Sequence, residues 1–140
     1  MIDYEKLKNS IKRLEEQYQN FLSLDEKINF SMLDKEAVKE SVIQRFETCY
    51  DTSWKHLKKY LEDAVGLPDV PNGPKPIFRL AGENNMKINV EKWFEYGQAR
   101  IDTSYDYSGE KANTTISTVK DFLKEVISLY EMISNEKWNP

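Results

Sequence analysis

Cysteine and histidine occur once each in 140 residues, at Cys49 and His56. A lone thiol cannot close an intrachain disulfide, and one cysteine with one histidine cannot furnish a zinc cluster. No apolar run approaches the ~18 residues of a membrane-spanning helix. Met-Ile-Asp-Tyr-Glu-Lys at the start lacks the apolar segment of a secretion signal, so the expected location is cytoplasmic. Basic excess is missing too. Lys and Arg number 20 against 24 Asp and Glu, a net charge of −4, which excludes a coat for nucleic acid held by bulk electrostatics and leaves room for a local basic site. No Gly-rich phosphate loop, nucleophile elbow or paired-carboxylate signature is present.

Glycine and proline are scarce, five of each, and four of the prolines with two of the glycines fall within Gly66 to Pro76. No helix or central strand tolerates that density, so this stretch is expected to cross one end of the molecule as an extended loop. The rest of the chain is free to form long helices.

The longest of them sets the scale. Ile43, Phe46, Tyr50, Trp54, Leu57, Leu61 and Ala64 follow one another at steps of three and four, one stripe of an α-helix, and all seven are expected in the core. Asp34 offers an N-cap, and Gly66 with Pro68 a stop, which predicts a helix over 35–65, roughly 45 Å long. Gln44, Glu47, Asp51, Lys55, Lys58 and Glu62 form the opposite, solvated face, with Asp51 one turn before Lys55 in the favourable order for an ion pair. Cys49 beside the stripe reads as a packed thiol. His56, with Thr52 and Tyr60 one turn to either side, reads as a partly exposed spectator.

Before this spine, Leu7, Ile11, Leu14, Tyr18 and Phe21 give a first helix from Asp3 to near Leu24. Ile28, Phe30 and Leu33 in the connection are expected to tuck under the bundle end. After the loop, Pro76 can open a short helix over Ile77–Ala81, closed by Gly82. Asn89 then caps a helix over 90–101, with Val90, Trp93, Phe94 and Gly97 on one face. Gly97 costs that helix about 1 kcal/mol relative to alanine, which implies a close approach by something else. Ile116, Val119, Leu123, Val126, Tyr130 and Ile133 mark a last helix over 109–134. Four segments share a seven-residue repeat, so the expected architecture is all-α: one domain over residues 1–140, an antiparallel up-and-down four-helix bundle with a short extra helix and a proline-rich crossing loop.

The densest polar cluster is Arg100-Ile-Asp-Thr-Ser-Tyr-Asp-Tyr-Ser-Gly-Glu-Lys-Ala112, between the last two helices. Two arrangements fit. Free N–H groups at the start of the last helix can hold an anion, with Arg100 as a bidentate phosphate clamp. Alternatively Asp106 or Ser108 caps that helix, Glu110 complements its dipole and Arg100 satisfies carbonyls at the end of the helix before. A magnesium ion at Asp102, Asp106 and Glu110 is conceivable, yet nothing separates these acids from capping residues, and no metal is assigned.

Two stretches, Gln44-Arg-Phe-Glu-Thr-Cys-Tyr-Asp-Thr-Ser-Trp-Lys-His-Leu-Lys58 and Arg100 to Ala112, resemble the nucleotidyltransferase substrate-binding protein family, a branch of the HEPN helical bundles. The likeness extends over nearly the whole chain. It implies a homodimer paired with a minimal nucleotidyltransferase as toxin and antitoxin, with no cofactor of its own and ATP entering through the partner. The family motif is an arginine, four residues, a histidine, one residue and a tyrosine. Arg100 and Tyr107 match it, and Tyr105 stands at the histidine position. The resemblance implies that Tyr107 accepts AMP within a site that includes Arg100, Asp102, Thr103 and Ser104. The alternative it implies is an RNA endonuclease with Arg100 and Tyr105 as catalytic groups, in which Tyr105, with an ordinary pKa near 10, makes a poor base.

Overall fold

A computed structural model describes residues 2–24, 31–104 and 109–138. Among these residues the chain forms five α-helices and no strand: α1 (Glu5–Leu22), α2 (Met32–Lys59), α3 (Pro74–Glu83), α4 (Val90–Thr103) and α5 (Gly109–Ser134).

Helix ends obey local chemistry, with shifts of a few residues from expectation. Ser31, and not Asp34, is the N-cap of α2. The Asp34 N–H donates to the Ser31 hydroxyl at 3.1 Å, and the Asp34 carboxylate accepts the Ser31 N–H at 3.1 Å. An acid three residues inside the helix closes this reciprocal box just as well as it would serve as the cap itself. The earlier start puts Leu33 in the first turn with 76% of its surface exposed, so it does not tuck under the bundle; Ile28 and Phe30 lie outside the described residues.

At its other end α2 runs into a π turn, Tyr60–Ala64, before Gly66 takes a positive φ of 80°. The wider turn carries the apolar stripe out of phase, and Ala64 faces solvent.

Pro74, two residues ahead of Pro76, takes the first position of α3. Pro76 still falls within the first turn, where N–H groups have no helical partner to lose. Gly82 does not close that helix, which continues to Glu83; a Cβ on Gly82 would stand 2.7 Å from Val90 Cγ2, so its bareness serves the approach of α4. Asn89 caps α4 as expected, its side chain accepting the Lys92 N–H at 3.1 Å. Asp106 and Ser108, the expected caps of α5, lie outside the described residues.

One buried cluster draws on all five helices. Helix α1 lies along α2, α5 packs against α1, α2 and α4, and α3 joins α2 to α4. Leu7, Ile11, Leu14 and Tyr18 are buried as the spacing predicts, and so are the six marked residues of α5. Phe122 and Tyr96 join them, although neither lies on the expected stripe. Helix α5 meets three neighbours, which widens the arc it must bury.

The centre is aromatic. Trp93 stacks on Phe78 at 4.5 Å between centroids and presents an edge contact to Phe122 at 5.6 Å, while Phe46 meets Phe122 edge-on at 4.9 Å. Tyr96 donates its hydroxyl hydrogen to Asp121 at 2.7 Å, and Lys92 reaches the same carboxylate at 3.0 Å, tying α4 to α5.

His56 is no exposed spectator. The start of α1 covers it: the ring lies 5.8 Å from the Tyr4 ring, and Nδ1 is 2.9 Å from the Thr52 carbonyl oxygen.

Cys49 is fully buried, and burial pushes its thiol up to about 12, a hydrogen bond with Ser10 offsetting part of the rise. Tyr4 is also pushed up to about 12, first by burial and then by Tyr60 and Asp63. The folded state therefore holds these protons more tightly than the unfolded chain. Their contribution is complete below the unfolded pKa and is lost as pH rises toward 12. For the enclosed thiol the expected slope above pH 9 approaches about 1.4 kcal/mol per pH unit. Urea midpoints measured from pH 8 to 11 should fall steeply above pH 9, and Cys49→Ala should make the fall shallower; parallel curves would contradict the assignment.

Candidate functional site

Arg100 sits in the last turn of α4, and its side chain crosses to α2. Nε lies 3.2 Å from Asp51 Oδ1 and Nη2 3.1 Å from Oδ2, a bidentate fork, while Nη1 lies 3.1 Å from Glu47 Oε2. Planar guanidinium and planar carboxylate match in shape, which is why arginine suits this contact better than lysine.

The sequence prepares both sides. Glu47 and Asp51 stand one turn apart on α2, and Arg100 and Thr103 one turn apart on α4, so two short rows face each other. Thr103 is buried, and its hydroxyl lies 3.0 Å from Glu47 Oε2 and 3.1 Å from the Ala99 carbonyl oxygen.

This arrangement overturns two expectations and adds a contact to a third residue. Glu47 is only 7% exposed, so it does not belong to a solvated row. Asp51 pairs with Arg100 across the helices and not with Lys55 along its own. Arg100 is bound to carboxylates on α2, a use of its guanidinium that neither expected arrangement included. The formal charges of Arg100, Glu47 and Asp51 sum to +1 − 2 = −1. A phosphate approaching this guanidinium must therefore compete with two carboxylates for its charge.

The remaining expected site residues divide. Asp102 turns toward α5: Gln98 Nε2 donates to it at 3.0 Å, and Lys111 Nζ stands 3.9 Å away. Ser104 donates its hydroxyl hydrogen to the Ile101 carbonyl at 2.7 Å. Tyr105 and Tyr107 lie outside the described residues, as does Asp106 of the magnesium arrangement. Among the described residues no group of three acids, histidines or cysteines is placed to hold a metal ion.

Beside Arg100, helices α2, α3 and α4 enclose a cleft of about 440 Å³. Trp54, expected in the core, is a half-buried wall of it, and Phe94 is another. Lys75 Nζ stands 5.2 Å from the centre of the Phe94 ring, and Lys55 Nζ 5.8 Å from that of Trp54. Tyr50 is at the floor.

Gly97 has the close neighbour its cost implies: a Cβ there would stand 2.6 Å from the Tyr50 hydroxyl oxygen. Gly97→Ala should destabilise by about 1–2 kcal/mol through overpacking, despite the better helix former. In a Tyr50→Phe background the same change should become neutral or stabilising. Thermal melts of the four chains check this sign reversal.

Sequence reasoning missed Glu47 and Asp51. The available signal was an acidic pair one turn apart bordering Phe46 and Tyr50, together with a single arginine at the end of another helix.

Known proteins carry related sequences and the same fold. The family described as nucleotidyltransferase substrate binding protein like matches residues 2–135. A Haemophilus influenzae protein named as a probable ribonuclease HepT is 36% identical over 93 residues, which are 65% of this chain and 64% of that protein's length. The crystal structure of a Thermus thermophilus protein shares the fold at a TM-score of 0.65 and 21% identity, covering 86% of this chain and 98% of that one.

Proposed function

Because the chain belongs to the nucleotidyltransferase substrate-binding protein family over residues 2–135, we propose that it is the substrate-binding or AMP-accepting helical subunit of a minimal nucleotidyltransferase, in a two-gene toxin-antitoxin-like module. Helices α1, α2, α4 and α5 serve as an antiparallel four-helix frame within one domain, and two copies pair as a homodimer in the cytoplasm. ATP enters through the partner.

The observation that supports this reading is the clamp of Arg100 by Glu47 and Asp51. It pins the last turn of α4 to α2, and Tyr107 follows that anchored turn by four residues in the sequence. In the transfer, the Tyr107 phenol oxygen attacks the α-phosphorus of ATP. The new O–P bond forms as the bond to pyrophosphate breaks, and the phenol proton leaves to solvent or to a base of the partner.

Incubating the chain with its partner enzyme, ATP and magnesium, then measuring the intact mass, tests the proposal. One added adenylyl group that disappears in Tyr107→Phe is the expected result. Finding no complex and no added mass would defeat it.

The name of the Haemophilus influenzae relative favours a second reading, an RNA endonuclease in which Arg100 and Tyr105 act on the scissile phosphate. The net negative charge around Arg100 opposes it, because a phosphodiester must compete with two carboxylates. Cleavage of cellular RNA by the purified chain, lost in Tyr105→Phe, would promote this reading over the first.

A further inference from the structure

We propose that the cleft between α2, α3 and α4 is itself a binding site for a mononucleotide, with the base against Trp54 and Phe94 and the phosphate at Lys55 and Lys75. This goes beyond the reading above, which leaves the nucleotide to the partner.

Four observations converge. The volume, about 440 Å³, falls within the range of small-molecule clefts. The walls include two half-buried aromatic faces from different helices, Trp54 of α2 and Phe94 of α4, and any nucleobase can stack on such a face. The charged residues of the lining are Lys55, Lys75, Arg100 and Asp51; counted with Glu47, which shares the Arg100 guanidinium, they sum to 3 − 2 = +1 in a chain of net charge −4. Neither lysine is paired with a carboxylate among the described residues. An anion is therefore favoured here, and it does not have to break the Arg100 clamp to bind.

The fourth observation is at the floor. Tyr50 is only 3% exposed, and its hydroxyl makes no hydrogen bond among the described residues. That hydroxyl lies against the bare Cα of Gly97, which also lines the cleft. Burial, with the nearby Asp51 charge, raises its pKa well above the ordinary value while Arg100 offsets part of the rise, so it stays protonated. Tyr50 lines the cleft and its hydroxyl oxygen is not sealed off from it, so the hydroxyl is placed to donate to a ligand there. A ring nitrogen, a base carbonyl or a ribose oxygen would accept.

Isothermal titration of the full chain with AMP, adenosine and inorganic phosphate tests the assignment. AMP should bind one per chain, with an affinity that falls as salt rises. Adenosine should bind about tenfold more weakly for want of the charge-assisted contacts, and phosphate should give no heat. Trp54→Ala should weaken AMP about tenfold and Tyr50→Phe about fivefold. Lys75→Ala should lower affinity for AMP and leave that for adenosine unchanged. Tyr50→Phe and Lys75→Ala spare the core packing, and urea midpoints verify that each variant is folded. Absence of AMP binding at millimolar concentration overturns the proposal. So does binding unchanged in both Trp54→Ala and Tyr50→Phe, or binding confined to RNA oligonucleotides.

Discussion

Trp93→Ala is expected to cost about 4 kcal/mol, the largest single loss in the molecule. The indole is fully buried and touches rings from three other helices: Tyr50 of α2, Phe78 of α3 and Phe122 of α5. Alanine leaves a cavity where those rings meet, and rings fixed from several sides cannot collapse to fill it.

The indole Nε1 has no hydrogen-bond partner among the described residues. Trp93→Phe removes that unsatisfied donor along with part of the ring, so its cost should be smaller, about 1–2 kcal/mol. Guanidinium unfolding of the three chains measures both. Equal losses for alanine and phenylalanine would mean that the stacked ring contributes little and the α3–α4 unit is only loosely joined to the core.

Arg100→Ala is expected to destabilise by about 2–3 kcal/mol. Removing the guanidinium takes a charge partner from the buried Glu47 carboxylate, and weakening the compensation of a buried charge is costly. The figure stays below that of a fully enclosed pair because the Arg100 and Asp51 side chains are 30% and 36% exposed, and water screens that arm. Glu47→Gln in the same chain should recover more than half of the loss, since a neutral amide can still accept from Thr103 and needs no counter-charge. Urea midpoints of the single and double variants decide it. No recovery would show that Glu47 is not the source of the penalty.

This second result bears on any functional test at Arg100. A variant that loses activity and stability together says nothing about contact with substrate. In the Glu47→Gln background the fold is largely restored, so an activity that stays lost there marks Arg100 as meeting the substrate, and one that returns marks it as a positioning residue.

Much of this was legible in the chain. The stripes Leu7–Ile11–Leu14–Tyr18 and Ile116 to Ile133 are buried as their spacing predicts, Asn89 caps where it should, and Gly97 has the close neighbour that its presence implied. The family was legible as well, in the stretches around Phe46 and Arg100. The errors share one cause. Trp54 sits on the same stripe as Phe46 and yet borders a cleft, because α3 and α4 do not close over it. His56 looked exposed until the start of α1 was laid across it. Asp51 looked like a partner for Lys55, four residues on, but an arginine 49 positions away offers a bidentate fork.

Periodicity, capping and turn chemistry act over four residues or so, and for that reason the order of residues alone determined where helices run and which side of each is greasy. An acid bordering the apolar stripe is different. Glu47 has the same neighbours in sequence whether it faces water or a guanidinium, and only the packing of α4 on α2 decided that it meets Arg100, 53 positions away. The tertiary structure alone assigned the polar contacts and the cleft, because both are made between helices and no local pattern encodes which helix will arrive.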